Sequence, residues 1–212
     1  EPVENENKEE EEPKEDEIDE KKEIEKEKEK VDTNNAKTVE STNNINLEIV
    51  NETGRSVNID WVDYEAKRVN YKTLDVNQSY IQPTFTQHSW VFKHEDEEFG
   101  WYCIPKDIKP NTTIKVFITR NIKLPETLKS LPSTNEIEVA FVNRTGKEID
   151  SIDWIDLEGK RENLIRFFQP HEEQVESTFT GHCWVFMQGG EQIGYYMAPQ
   201  DVKRDVPIKV II

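Results

Sequence analysis

Long apolar runs are missing from this 212-residue chain. No stretch of 18 apolar residues occurs, so no membrane-spanning helix is expected. Basic character is also scarce, with 27 Lys and Arg against 44 Asp and Glu and a formal net charge of −17. Phosphate binding draws on clustered Lys and Arg, so nucleic acid is not an expected partner. Cysteine is limited to Cys103 and Cys183, and histidine to four scattered positions. That is too little for a zinc site, and no cofactor is expected. The two cysteines are read as free thiols, with a disulfide between them left open. No phosphate loop, nucleophile elbow or metal triad is present. Cys183 follows His182, but adjacent strand residues point to opposite faces, so they do not form a dyad. The chain is expected to be non-enzymatic.

Aromatic residues are absent from the first 60 positions. Residues 1–30 instead hold 16 acidic residues and 7 lysines. They have almost nothing to bury against the entropy of ordering. Residues 1–44 are therefore expected to be a disordered acidic tail and polar linker. Four Asn-x-Ser/Thr triplets occur, at Asn51, Asn77, Asn111 and Asn143, and the first residue is Glu1. Both features tilt the expectation toward a secreted chain over a cytoplasmic one.

What is present is a repeat. Val50-Asn51-x-Thr53-Gly54 matches Val142-Asn143-x-Thr145-Gly146, and Asp60-Trp61-Val62-Asp63 matches Asp153-Trp154-Ile155-Asp156. Lys67-Arg68-x-Asn70 returns as Lys160-Arg161-x-Asn163. Thr84-Phe85-Thr86-x-His88-x-Trp90-Val91-Phe92 returns as Thr178-Phe179-Thr180-x-His182-x-Trp184-Val185-Phe186. The offset drifts only from 92 to 94. Two tandem modules are expected, at 45–120 and 136–212, joined by a linker at 121–135 with one helical turn at 126–130. Within each, INLEIVNETG or IEVAFVNRTG alternates apolar and polar residues and stops at Thr-Gly. Such strands, separated by turn signals every 8–12 residues, predict an all-β chain of two small β-sandwiches rather than βαβ units. The recurring acids Asp60/Asp63 and Asp153/Asp156 are read as a solvated edge.

The series Asn51, Trp61, Tyr71, Thr84, His88, Trp90 resembles the β domain of the von Hippel–Lindau tumour suppressor family, with its spacing kept without a gap. Both modules carry the resemblance. It implies recognition of a peptide containing 4-hydroxyproline. Trp61, Tyr71 and Trp90 would wall the pyrrolidine ring. Thr84 and His88 would satisfy its hydroxyl as donor and acceptor, which an unmodified proline would leave unpaired. In the second module the matching residues are Trp154, Thr178, His182 and Trp184.

The sequence departs from the family in places. Thr84 stands where the family has Ser, and Pro83 replaces a second His that helps hold the peptide. Leu164 falls at the place of Tyr71, which makes repeat 1 the favoured candidate. Pro125–Pro132 echoes the start of the family's Elongin C-binding helix, but it lacks the Cys and ends in proline. No Elongin C or ligase partner is therefore expected. Two functions stay open: a module that binds protein or peptide, with hydroxyproline as the implied target, or a secreted scaffold, as in effectors or venoms, without that pocket. Under the second, the tryptophans are core residues and the histidines structural.

Overall fold

The computed structural model describes residues 37–120 and 127–212. The expectations for the acidic tail fall outside them. Among the described residues the chain is all-β, with fourteen strands and no helix. The first seven are β1 (Asn44–Asn51), β2 (Val57–Val62), β3 (Arg68–Leu74), β4 (Ser79–Phe85), β5 (Ser89–His94), β6 (Glu97–Cys103) and β7 (Thr113–Ile118). The next seven are β8 (Glu136–Val142), β9 (Ile149–Ile155), β10 (Arg161–Phe168), β11 (Glu173–Phe179), β12 (Cys183–Gln188), β13 (Glu191–Met197) and β14 (Ile208–Ile211).

Alternation decides which side of each strand is buried. On β1, Ile45, Leu47 and Ile49 are buried, and on β8, Ile137, Val139 and Phe141. An asparagine stands at the end of β1 and just after the end of β8, and its side chain builds the following turn. Asn51 Oδ1 accepts from Thr53 N (3.0 Å) and Thr53 Oγ1 (2.8 Å), while Nδ2 donates to Arg55 O (2.7 Å). Asn143 does the same with Thr145 and Lys147. Both asparagines are fully buried, and Gly54 and Gly146 supply the left-handed residue each turn needs, at φ 74° and 76°.

Strands β3-β2-β5-β6 form one four-stranded sheet and β10-β9-β12-β13 another. The remaining strands form a single six-stranded sheet, β11-β8-β14-β7-β1-β4. Its middle is the parallel pairing of β7 with β14, from Lys115/Ile208 to Ile118/Ile211. The two halves of the chain thus share one sheet rather than only a tether. Ile114, Val116 and Ile118 of β7 face the core that also holds Trp90 and Phe92, whereas Phe117 joins the core of Phe141, Trp184 and Tyr196. Ile211 of β14 and Val142 of β8 make the reciprocal exchange. Because neighbours along a strand point to opposite faces, the two four-stranded sheets pack on opposite faces of the shared sheet.

Segments that read as polar linkers are built into this fold. Thr38 Oγ1 donates to Val62 O and accepts from Ser89 N, and Ser130 Oγ donates to Ile155 O and accepts from Cys183 N. Ser41 meets Thr86, and Ser133 meets Thr180, each at 2.7 Å. Asn43 Nδ2 donates to Ile108 O (2.7 Å) and Asn135 Nδ2 to Val202 O (2.8 Å). Each repeat therefore begins with an irregular strap. Residues 127–135 contain no helix; the hydroxyl and amide groups hold the strap down instead of an intrahelical ladder.

Candidate functional site: an aromatic cluster at each sandwich flank

The site is built where the chain crosses from one sheet to the other. β4 ends at Phe85, and a four-residue turn closes through His88 N donating to Phe85 O (3.3 Å), with Gln87 at φ 65°. β5 then starts in the other sheet. The matching turn in repeat 2 closes through His182 N to Phe179 O (3.2 Å), with Gly181 at φ 77°. Thr84 and His88 therefore do not belong to one strand. They meet across the corner between two sheets, Thr84 Oγ1 and His88 Nδ1 sharing a hydrogen bond of 3.1 Å. Thr178 Oγ1 and His182 Nδ1 are 2.9 Å apart.

The tryptophans fall into two kinds. Trp90 and Trp184 are 1% and 2% exposed and belong to the cores. Trp61 and Trp154 are half-buried and lie over the histidines, with ring centroids 5.5 Å and 5.3 Å apart. All four indole N–H groups lack a hydrogen-bond partner among the described residues. Burial pushes both imidazoles below the ordinary histidine value, so both are neutral near pH 7. A neutral ring bonded at Nδ1 offers its Nε2 to whatever enters. In repeat 1 that atom is buried and has no partner among the described residues.

The residue over the site rides on a β-bulge. Pairing jumps from Ile59/Lys72 to Asp60/Asn70, so Tyr71 is the extra residue. In repeat 2 it jumps from Asp153/Asn163 to Ile152/Ile165, leaving Leu164 as the extra one. A side-chain bond pins each bulge: Asn70 Nδ2 to Asp60 Oδ1 (2.7 Å), and Asn163 Nδ2 to Asp153 Oδ1 (2.9 Å). Asp60 and Asp153 are buried, at 2% and 8% exposure. The expectation of a solvated acidic edge is thus overturned at both positions, because each carboxylate is held inside by its bulge asparagine. Only Asp63 and Asp156 stand at the turn, each accepting two backbone N–H groups.

The two flanks differ in what the bulge residue does. Tyr71 packs edge-on against Trp90 (5.2 Å) and Trp61 (6.2 Å). Leu164 instead lines an open cleft of about 210 Å³, with Trp154, Glu176, Ser177, Thr178, Phe179, His182 and Trp184. Each site residue expected in repeat 2 lines this cleft. No family model and no curated protein matches the chain. The chemistry has to be read from the side chains alone. Cys183 is fully buried and packs with Ile155 and Val185, and burial pushes its thiol up to about 12. Cys103 is also a free thiol. Among the described residues no group of three or more His, Cys, Asp and Glu is placed to hold a metal, and no helix is long and apolar enough to cross a membrane.

A second concavity, about 340 Å³, lies at the end of β4 and is lined by Asn44, Asn46, Pro83, Phe85 and Asn111 among others. Sequence reasoning missed the bulge pair Asp60/Asn70 and the two straps. Both leave a signal. Asn70 and Asn163 lie in the repeated Lys-Arg-x-Asn motif, and Ser41-Thr42-Asn43 recurs as Ser133-Thr134-Asn135 at the same offset of 92.

Proposed function

We propose that the chain is a non-enzymatic binder of extended peptide segments, with a prolyl or 4-hydroxyprolyl ring seated in the cleft of repeat 2. The carrying observation is that cleft: aromatic walls from Trp154 and Phe179, and a Thr178–His182 pair bonded at 2.9 Å. Its volume of about 210 Å³ is below the ~300–1,000 Å³ of small-molecule sites, so it suits one inserted side chain rather than a metabolite. A neutral His182 and the Thr178 hydroxyl together present one donor and one acceptor to a ring hydroxyl. The resemblance to the von Hippel–Lindau β domain supports the same ligand class. It favoured repeat 1 through Tyr71, and the open volume beside Leu164 favours repeat 2.

The test is a titration of the whole chain with two peptides that differ only in proline against 4-hydroxyproline. The expected result is tighter binding of the hydroxylated form by at least about tenfold, since a site built to hydrogen-bond a hydroxyl rejects the analogue lacking it. Thr178→Val and His182→Ala should each erase that preference. Equal affinity for the two peptides, or none for either, overturns the reading.

A further inference from the structure

The shared sheet ends in two edge strands, β4 and β11, which are counterparts in the repeat. Their backbones can be compared residue by residue. In an antiparallel pair, residues alternate between bonding the partner strand and facing away. On β11, Asn143 N donates to Glu172 O and Thr180 N to Asn135 O. The even-numbered residues thus serve β8, and Glu173, Val175, Ser177 and Phe179 turn their N–H and C=O groups to the open edge. On β4, Asn51 N donates to Gln78 O and Thr86 N to Asn43 O. There Ser79, Ile81, Pro83 and Phe85 face outward, and Pro83 has no N–H to give. Proline on an edge strand blocks the addition of another strand. Ser177 restores that donor in repeat 2, beside the cleft it lines.

The charge of the two edges differs as sharply. Asn44, Asn46, Gln78, Ser79 and Gln82 of repeat 1 stand where repeat 2 has Glu136, Glu138, Glu172, Glu173 and Glu176. Arg204 pairs Glu136 at 2.7 Å, and Lys209 pairs Glu173. Among the described residues Glu176 accepts from the neutral Gln174 Nε2 alone (2.7 Å), and its side chain lines the cleft. Glu138 is exposed on the neighbouring strand, opposite Ser177. At the floor, Trp184 is 2% exposed, and its indole N–H has no partner among the described residues. Among the described residues, an unpaired backbone edge, a residue-sized cleft and two carboxylates without a paired cation thus coincide in repeat 2.

We propose that the β11 edge docks a basic, extended segment of a partner protein. The segment adds a strand to the shared sheet and sets one prolyl or small apolar residue into the cleft. Lys or Arg two positions from that residue, on its own face, meet Glu176, and Lys or Arg next to it, on the opposite face, reach toward Glu138 beside Ser177. Backbone bonds would supply affinity and the cleft and carboxylates specificity, as in other strand additions. Repeat 1 is withheld from this role by Pro83 and by its neutral edge. The proposal rests on the peptide-binding reading of the cleft and adds the edge, the charge of the partner and the choice of repeat.

Three substitutions borrow residues that the fold already accepts at the counterpart positions: Ser177→Pro, Glu176→Gln and Glu138→Asn. The probes are the peptide acetyl-TVKKPKKVT-amide, whose outer lysines share the proline's face and whose inner lysines point to the other, and its acidic twin acetyl-TVEEPEEVT-amide, titrated against the whole chain with tryptophan fluorescence as the readout. The basic peptide should bind at one site per chain, at least about tenfold tighter than the twin, and weaken as NaCl is raised. Ser177→Pro should weaken it about tenfold by removing one edge hydrogen bond. The double change at Glu138 and Glu176 should erase the preference over the acidic twin. Equal binding of the twins, or a Ser177→Pro chain that binds as before, overturns the proposal. If His182→Ala alone abolishes binding while the edge variants do nothing, the cleft reading survives and the edge proposal falls. If neither peptide binds, the edge proposal falls, and the titration with the proline and 4-hydroxyproline pair decides the cleft reading on its own.

Discussion

In repeat 1 the Tyr71 ring lies against Trp61 and Trp90; in repeat 2 the same bulge carries Leu164, and the space beside Trp154 and Trp184 is open. The two flanks share their bulge, their Asp–Asn pin, their Thr–His bond and their tryptophans. What separates them is a ring in place of a branched aliphatic chain, a proline in place of a serine, and amides in place of carboxylates. The framework of a repeat is held by buried groups that both copies need, so divergence collects at its exposed edges. The comparison locates function where the copies differ and stability where they agree.

The largest effect should come from the seam between the repeats. A Cβ at Gly194 would meet Thr119 O at 2.4 Å, and one at Gly100 would meet Arg144 Cβ and Ile211 Cγ2 at 2.8 Å. Gly194→Ala presses on a backbone oxygen that no rotamer change can move. Overpacking of this kind costs about 3 kcal/mol, or a melting temperature lower by about 6–12 °C for a chain of this size. Gly100→Ala presses on side-chain atoms and should cost less. Thermal melts of the two variants decide it, and an unchanged Gly194→Ala melt would mean that the seam is loose.

The seam is also where the repeats carry opposite charge at one position. Arg144 lies over the Trp101 ring at 4.2 Å and donates to Trp101 O. Its counterpart at the offset of 92 is Glu52, whose charge acts on Cys183, Tyr195 and Tyr196. Burial pushes the Glu52 carboxyl up to about 7. A raised carboxyl pKa means that the folded state holds the proton more tightly than the unfolded one. The stability this lends is fully present below the ordinary value of 4.5 and is lost as pH rises through about 7. That window corresponds to at most about 3 kcal/mol. Glu52→Gln should flatten the stability–pH curve between those values and leave the variant more stable than the parent above pH 7. Chemical denaturation at several pH values measures it; a parallel loss in parent and variant would assign the pH dependence elsewhere.

The fold was legible because alternation and the Asn-x-Thr-Gly turns carry their own physics. Ile45, Leu47 and Ile49 declare a buried face, and a Thr-Gly pair declares its end. The site was legible as a set of residues but not as a geometry. Thr84 and His88 lie four positions apart, and only the turn at Gln87 shows that they meet across a corner. Asp60 looked exposed because aspartate beside a turn usually is; its burial depends on Asn70, which reaches it through a strand pairing that sequence spacing does not reveal. The parallel β7–β14 seam was invisible for the same reason. Ile114-Lys115-Val116 and Ile208-Lys209-Val210 end their repeats alike, and nothing local says that each finds the other.

The smallest expected effect on stability is the most telling for function. Tyr71 is 47% exposed and Leu164 is 54% exposed, so exchanging the two side chains should change stability by less than about 1 kcal/mol. Tyr71→Leu removes the ring that lies on Trp61 and Trp90 and should open a cleft in repeat 1 like that of repeat 2. Leu164→Tyr should lay a ring over Trp184 and close the existing one. Trp61 and Trp154 sit beneath these positions and are only half-buried. The fluorescence of the Tyr71→Leu chain should therefore become more accessible to a neutral quencher such as acrylamide, and that of the Leu164→Tyr chain less so. If peptide binding follows the open cleft, Leu164→Tyr loses it while Tyr71→Leu keeps it. Loss on Tyr71→Leu instead would return the binding role to repeat 1, with the Tyr71 hydroxyl as the group that holds the ligand.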